Sequence, residues 1–94
     1  MQKATFDRIA ELTRRSGETL QESFGQMVSE VGELSTEIYM PHRGGPDGVK
    51  GESIDVSITS IATYQQSGGT YEAFDDDMKS KLDKWDEYLK RKGK

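Results

Sequence analysis

The chain has 94 residues, no cysteine and one histidine, which excludes a disulfide framework, a thiolate site and a multi-histidine zinc site. Its net charge of -4 argues against binding nucleic acid through phosphate neutralisation. No apolar run is long enough for a signal peptide or a membrane span, so we expect a cytoplasmic protein that binds neither nucleic acid nor membrane.

Only 32% of the residues are hydrophobic and the mean hydropathy is -0.83, so one domain over residues 1–94 has a thin core. We therefore expect a homo-oligomer, with a marginally stable monomer as the alternative.

The first half of the chain predicts two helices. Phe6 and Ile9 share one side of a short amphipathic helix over residues 3–14, which Ser16-Gly17 interrupts. Thr19-Leu20-Gln21-Glu22 is typical of a capping box that begins a second helix, which should reach Met40. Apolar residues spaced +4, +3, +4 give that helix a continuous stripe beside the core: Met27, Val31, Leu34 and Ile38.

Pro41 ends the second helix, and the glycine-rich segment 41–48 that follows is a predicted loop. It lies between two acidic motifs, so it is a candidate lid from which Arg43 can reach a phosphate. A flexible connector is the alternative.

The second half predicts two more helices and hence an all-α antiparallel bundle of about four helices. Ile54, Ile58 and Ile61 give a +4, +3 stripe over residues 48–66. The alternation in 54–58 also suits a strand, but the helical spacing persists for two turns and no partner strand is available. Thr70 is a plausible N-cap for a final helix, whose apolar stripe runs to Leu89.

Two acid-x-x-acid motifs dominate the middle of the chain, Glu30-x-x-Glu33 and Glu52-x-x-Asp55. Residues three apart project from nearly the same face of a helix, so each motif aims two carboxylates in one direction. Four converging carboxylates repel one another, and a hard cation such as Mg²⁺ or Mn²⁺ removes that cost. The alternative is two solvated acidic helix faces.

These motifs resemble the metal motif of the MazG-like, all-α nucleoside triphosphate pyrophosphohydrolases. The resemblance runs from about Thr19 to Tyr88 and includes the late Lys-Leu-Asp-Lys-Trp, residues 81–85. It implies that the four carboxylates bind Mg²⁺ and that a ribo- or deoxynucleoside triphosphate is hydrolysed to the monophosphate and pyrophosphate. Members usually form dimers, sometimes tetramers, and minimal single-module members also occur in phage genomes.

The resemblance also implies roles for individual residues. A carboxylate that metal does not fully occupy, which we assign to Glu33, would accept the proton of the attacking water. Basic residues of the last helix contact phosphates in relatives, which implies that role for Lys81 and Lys84; ordinary surface lysines are the alternative.

Two rival functions remain open. One is a non-catalytic acidic helical module that binds a partner protein through Met27, Val31, Ile54 and Trp85. The other is a phosphoribosyl-ATP pyrophosphohydrolase, which shares the fold. We expect Trp85 to lie in a core or an interface rather than to stack on a base.

Overall fold

The computed structural model describes all 94 residues as helices, turns and short connections, with no strand, which confirms the predicted all-α class. Residues 54–58 are helical, so the strand alternative is wrong. No helix is both long enough and apolar enough to span a bilayer. The helices are α1 Lys3–Ser16, α2 Leu20–Tyr39, α3 Gly48–Gln66 and α4 Tyr71–Arg91, with a short 3₁₀ helix at Pro41–Arg43.

The predicted capping box begins α2. The Thr19 hydroxyl accepts a hydrogen bond from the Glu22 N–H at 3.1 Å, and the Glu22 carboxylate accepts one from the Thr19 N–H at 3.1 Å. These bonds satisfy two amide donors that a helix otherwise leaves unpaired. Because α1 ends directly before, at Gly17 with φ of 72°, the turn and the cap together set where α2 begins.

α2 and α3 form an antiparallel pair, which is the main helix contact of the chain. Near one end the Gln66 side chain donates to the Glu18 carbonyl oxygen at 2.8 Å, and midway Ser60 lies against the Met27 sulfur. At the other end the Glu37 carboxylate accepts the Gly45 N–H at 2.6 Å, which folds the connection back onto α2.

Only part of each predicted apolar stripe is shielded: Met27, Leu34 and Ile61 are half-buried. Ser23, Glu52 and Ala62 are buried, whereas Val31 is 48% exposed and Ile54 is 58% exposed. The expectation that the stripe residues of α2 all border the core is therefore wrong for this chain alone. The physical reason is rotational: α2 turns the side that carries Ser23 and Glu30 toward α3, about a quarter-turn away from Val31.

α4 begins at the predicted Thr70 cap, whose hydroxyl accepts the Ala73 N–H at 3.2 Å, and is anchored by aromatic rings. The Phe6 ring lies 5.5 Å from that of Tyr71 and 5.8 Å from that of Phe74 in edge-to-face geometry, and the Tyr64 ring lies 5.5 Å from that of Phe74. Phe6 is buried, as predicted.

Beyond this cluster α4 extends away from the other helices. The ion pairs of its second half, Lys79 with Asp83 and Asp86 with Lys90, stay within the helix. Trp85 is 61% exposed, so it is outside the core, and the core alternative for this residue is wrong.

Replacing Thr19, the N-cap of α2, should destabilise the protein without changing the acidic motifs. We expect Thr19→Ala to lower the free energy of unfolding by about 1 kcal/mol, because the Glu22 N–H loses its acceptor. Urea unfolding followed by circular dichroism measures this change. Thr5→Ala, at an exposed position inside α1, is the matched control and should be nearly neutral; equal losses in the two variants would contradict the capping role.

Candidate metal centre

The four predicted ligands lie on facing turns of α2 and α3. Glu30 and Glu33 are in the third and fourth turns of α2, and Glu52 and Asp55 are in the second and third turns of α3. Because the helices are antiparallel and joined by a short connection, these turns meet near the loop end of the pair. The structure thus brings both predicted motifs to one place.

The carboxylates form two groups that share Glu52. Oxygens of Glu30, Glu33 and Glu52 lie within 4.8 Å of one another, and so do oxygens of Asp47, Glu52 and Asp55. We call these five residues the acidic cluster. Glu52 is its centre, and every predicted metal ligand belongs to it.

Asp47 is a member that the sequence did not reveal. It precedes the first residue of α3, in Pro46-Asp47-Gly48, which has the composition of a turn. Its only signal was its position five residues before Glu52, which is not a helical same-face spacing. Its oxygen approaches Glu52 because of the conformation of the turn and not because of helix periodicity.

Two oxygens of the acidic cluster are shielded from solvent and have no hydrogen-bond partner, Glu30 Oε2 and Glu52 Oε2. Glu52 is 6% exposed and is the only buried charged residue of the chain, whereas Glu33 and Asp47 are exposed at the edge. No lysine or arginine forms an ion pair with any of the five carboxylates. Buried carboxylates are ordinarily paired or coordinated, so this arrangement is costly by itself.

The pKa values of Glu52 and Glu30 show the effect of this unfavourable burial. Burial raises the pKa of Glu52 to about 7, followed by the hydrogen bond that its protonated form can donate to Glu33 and by the charges of Glu33, Asp55 and Glu30. The pKa of Glu30 is also raised, first by burial and then by the charges of Glu33 and Asp55. Both shifts have the sign expected when like charges share a poorly solvated site.

The acidic cluster fits a hard divalent cation. Its donors are all oxygen, two are unpaired and shielded, and no cationic side chain competes for them. Mg²⁺ and Mn²⁺ prefer such donors, and Mg²⁺ usually completes its shell with water and substrate phosphate. The exposed side of the cluster, at Glu33 and Asp47, leaves room for such additional ligands.

The predicted phosphate-binding residues lie elsewhere in the chain. Arg43 is exposed in the 3₁₀ helix between α2 and α3 and forms no ion pair. Lys81 and Lys84 line a cavity of about 370 Å³ with Tyr64, Phe74, Asp77, Met78 and Ser80. That cavity contains no member of the acidic cluster, so the single chain does not bring the two lysines to the carboxylates.

Comparisons of the chain with protein-family profiles, curated proteins and solved structures found no match. The resemblance to the MazG-like family through Glu30-x-x-Glu33 and Glu52-x-x-Asp55 therefore stays a prediction. The geometry supports a cation site independently of that resemblance, because the carboxylates of the two motifs meet around the buried Glu52.

The metal-free protein should lose stability as pH rises. Glu52 binds its proton more tightly in the folded protein, with a pKa near 7, than in the unfolded chain, whose ordinary value is 4.5. Protonation therefore favours the folded state, and the free energy of unfolding should fall as pH rises through this window. Thermal unfolding with chelator at about pH 5 and about pH 8 measures the difference.

Glu52→Gln should remove much of this pH dependence, and Mg²⁺ at the higher pH should restore stability to the wild type but not to the variant. Glu87→Gln, an exposed acid on α4 without a partner, is the control and should behave as the wild type. A wild-type protein equally stable at both pH values would contradict the electrostatic account.

Asp47→Asn should weaken cation binding although Asp47 lies outside both sequence motifs. Removing one anionic oxygen next to Glu52 should raise the dissociation constant for Mn²⁺ or Mg²⁺ about tenfold, a size typical of changes around metal ligands. Calorimetric titration measures it, with Asp75→Asn on α4 as the matched control. Unchanged affinity in Asp47→Asn would exclude this residue from the site.

Proposed function

We propose that the protein is a metal-dependent nucleoside triphosphate pyrophosphohydrolase, which converts a ribo- or deoxynucleoside triphosphate and water to the monophosphate and pyrophosphate. The observation that carries this proposal is the convergence of four carboxylates around that of buried Glu52. A site of this kind favours phosphate chemistry, because a hard cation held by carboxylates shares its remaining positions with phosphate oxygens.

In this proposal, Glu30, Glu33, Glu52 and Asp55 hold Mg²⁺ or Mn²⁺, and Asp47 adds a further oxygen. When bound, the cation neutralises phosphate charge, orients the triphosphate and makes water more acidic. A P–O bond between the α and β phosphorus atoms breaks as water adds, and pyrophosphate leaves.

Glu33 is the proposed proton acceptor. It is the exposed glutamate of the cluster and interacts with Glu52, so it reaches both the buried carboxylates and the solvent side from which a substrate approaches. A carboxylate within reach of the attacking water accepts its proton, and such general-base assistance contributes about 10²–10⁴-fold to a rate.

Lys81, Lys84 and Arg43 remain proposed phosphate ligands. The two lysines form no ion pair, which leaves their ammonium groups free for an anion. Because they lie on α4 away from the acidic cluster, this role requires α4 to approach the cluster, from the same chain or from another copy. We further propose that the protein works as a homo-oligomer in the cytoplasm.

A non-catalytic interaction module is the second candidate function. It is favoured by large apolar side chains that remain exposed on α2, α3 and α4, among them Val31, Ile54 and Trp85. In this alternative the acidic cluster is a structural cation site and no nucleotide is hydrolysed.

Pyrophosphate release from a panel of nucleoside triphosphates and phosphoribosyl-ATP, with Mg²⁺ and with chelator, tests the proposal. We expect metal-dependent release from at least one nucleoside triphosphate and a loss of about 10²–10⁴-fold in kcat for Glu33→Gln. Asp55→Asn should raise the Mg²⁺ concentration required. Glu87→Gln is the matched control and should retain full activity.

Each of the other possible results would favour one of the alternative functions. Release confined to phosphoribosyl-ATP would assign the phosphoribosyl-ATP pyrophosphohydrolase activity instead. Folded, helical protein that binds Mg²⁺ but releases no pyrophosphate from any substrate would refute the hydrolase proposal and favour the interaction module.

A further inference from the structure

Asp47 is the one member of the acidic cluster that lies on a connection and not within a helix. It precedes α3, yet one of its oxygens lies within 4.8 Å of oxygens of Glu52 and Asp55. Connections are more mobile than helices, so a ligand placed on one contributes fully to a cation site only if neighbouring residues fix it. Contacts on both sides of Asp47 do so.

The residue after Asp47 sets the turn into α3. Gly48 has φ of 68°, in the left-handed region that glycine enters readily and residues with a Cβ rarely adopt. The backbone therefore changes direction directly after Asp47. Its side chain does not follow the spacing of 100° per residue that governs the side chains of the helix behind it.

Gly51, in the first turn of α3, leaves the space against which the Asp47 side chain packs. A Cβ at Gly51 would lie 2.7 Å from the Cβ of Asp47, whereas carbon atoms that are not bonded prefer about 3.5–4.0 Å. Residues four apart in a regular helix have their Cβ atoms about 5–6 Å apart, so Asp47 is folded onto the Gly51 position, next to Glu52. Because a Cβ is fixed to the backbone, no side-chain rotation would relieve the collision.

Glu37 fixes the connection from the side of α2. Its carboxylate is half-buried, accepts the Gly45 N–H at 2.6 Å and has no basic partner. A Cβ at Gly44 would collide with that carboxylate, so the backbone of the connection lies directly against Glu37. Only Pro46 separates Gly45 from Asp47, and its ring holds φ at about −65°, which makes this link stiff.

The Asp47 side chain has neither of the roles that usually stabilise an aspartate at the start of a helix. It forms no capping hydrogen bond with α3 and no ion pair. Its charge adds to the repulsion around Glu52, which is 6% exposed and has one shielded oxygen without a partner. A cation shared by Asp47 and Glu52 accounts for both observations.

We propose that Gly51 and Glu37 are positioning residues that hold the Asp47 carboxylate in the cation site beside Glu52. Gly51 admits the side chain next to α3, and Glu37 fixes the connection from α2. The connection is then a fixed part of the site and not a lid over it. This inference rests on the cation site of the proposed function and is independent of nucleotide hydrolysis.

Calorimetric titration with Mn²⁺ alone tests the role of Gly51. Gly51→Ala should raise the dissociation constant about tenfold, as expected for Asp47→Asn, because the added Cβ displaces the Asp47 side chain. Adding Gly51→Ala to Asp47→Asn should cause no further loss, since the two changes remove the same ligand. Gly25→Ala, in α2 with open space around that position, is the matched control and should bind as the wild type. Equal losses in both backgrounds would overturn the role of Gly51.

Two substitutions separate the hydrogen bond of Glu37 from its charge. Glu37→Gln and Glu37→Ala both remove the charge, but glutamine keeps an oxygen that can accept the Gly45 N–H. Glu37→Ala should raise the Mn²⁺ dissociation constant about tenfold, whereas Glu37→Gln should stay close to the wild type. Equal losses in the two variants would assign the effect to charge and overturn the positioning role. Circular dichroism equal to that of the wild type excludes unfolding as the cause.

Positioning and hydrolysis fail separately. A wild-type affinity for Mn²⁺ in both Gly51→Ala and Glu37→Ala would overturn only the positioning of Asp47. The expected losses in a protein that hydrolyses no nucleotide would support the positioning and refute only the enzyme proposal. A wild-type protein that binds no Mn²⁺ would refute the cation site, and both proposals with it.

Discussion

The contact between α2 and α3 encloses the one buried charged side chain of the protein. Glu52 lies between the helices at 6% exposure, with three other acidic side chains of the predicted motifs near it. A charged Glu52 among other carboxylates makes the packing of α2 on α3 less favourable, unless a cation neutralises these carboxylates. A bound divalent ion would convert the repulsion between the two helices into a link between them.

This arrangement explains why apolar residues of α2 face solvent. With α2 rotated so that Glu30 faces α3, the exposed apolar side chains of α2 point elsewhere, since a helix turns 100° per residue. They are Phe24, Val28, Val31 and Ile38. The polar side chains on the side of α2 that faces α3 therefore leave apolar side chains on its other sides. Phe6 and Ile9, with Ala62, are the only apolar residues buried within one copy.

The sequence predicted the features that local rules determine. The Thr19 cap and the helical register of Glu30-x-x-Glu33 follow from short-range hydrogen bonding and periodicity. Asp47 was missed because its position depends on the turn conformation before α3. The burial of the α2 stripe was misjudged because amphipathic spacing does not distinguish a partner helix in the same chain from one in another chain. Lys81 is separated from the acidic cluster because of the direction in which α4 leaves the aromatic rings. No local sequence pattern encodes that direction.

The way α4 is attached has a mechanical consequence. The helix is anchored only through its first two turns, where the Tyr64 hydroxyl donates a hydrogen bond of 2.7 Å to Asp77. Just before the helix, the Tyr64 ring packs so closely on Gly69 that a Cβ at that position would collide with it. From Met78 to Arg91 the helix runs about 20 Å further. A pivot of about 10° at the rings would move Arg91 by roughly 3 Å over that length. Such a pivot would move the C-terminal end of α4 while the contact between α2 and α3 kept its geometry.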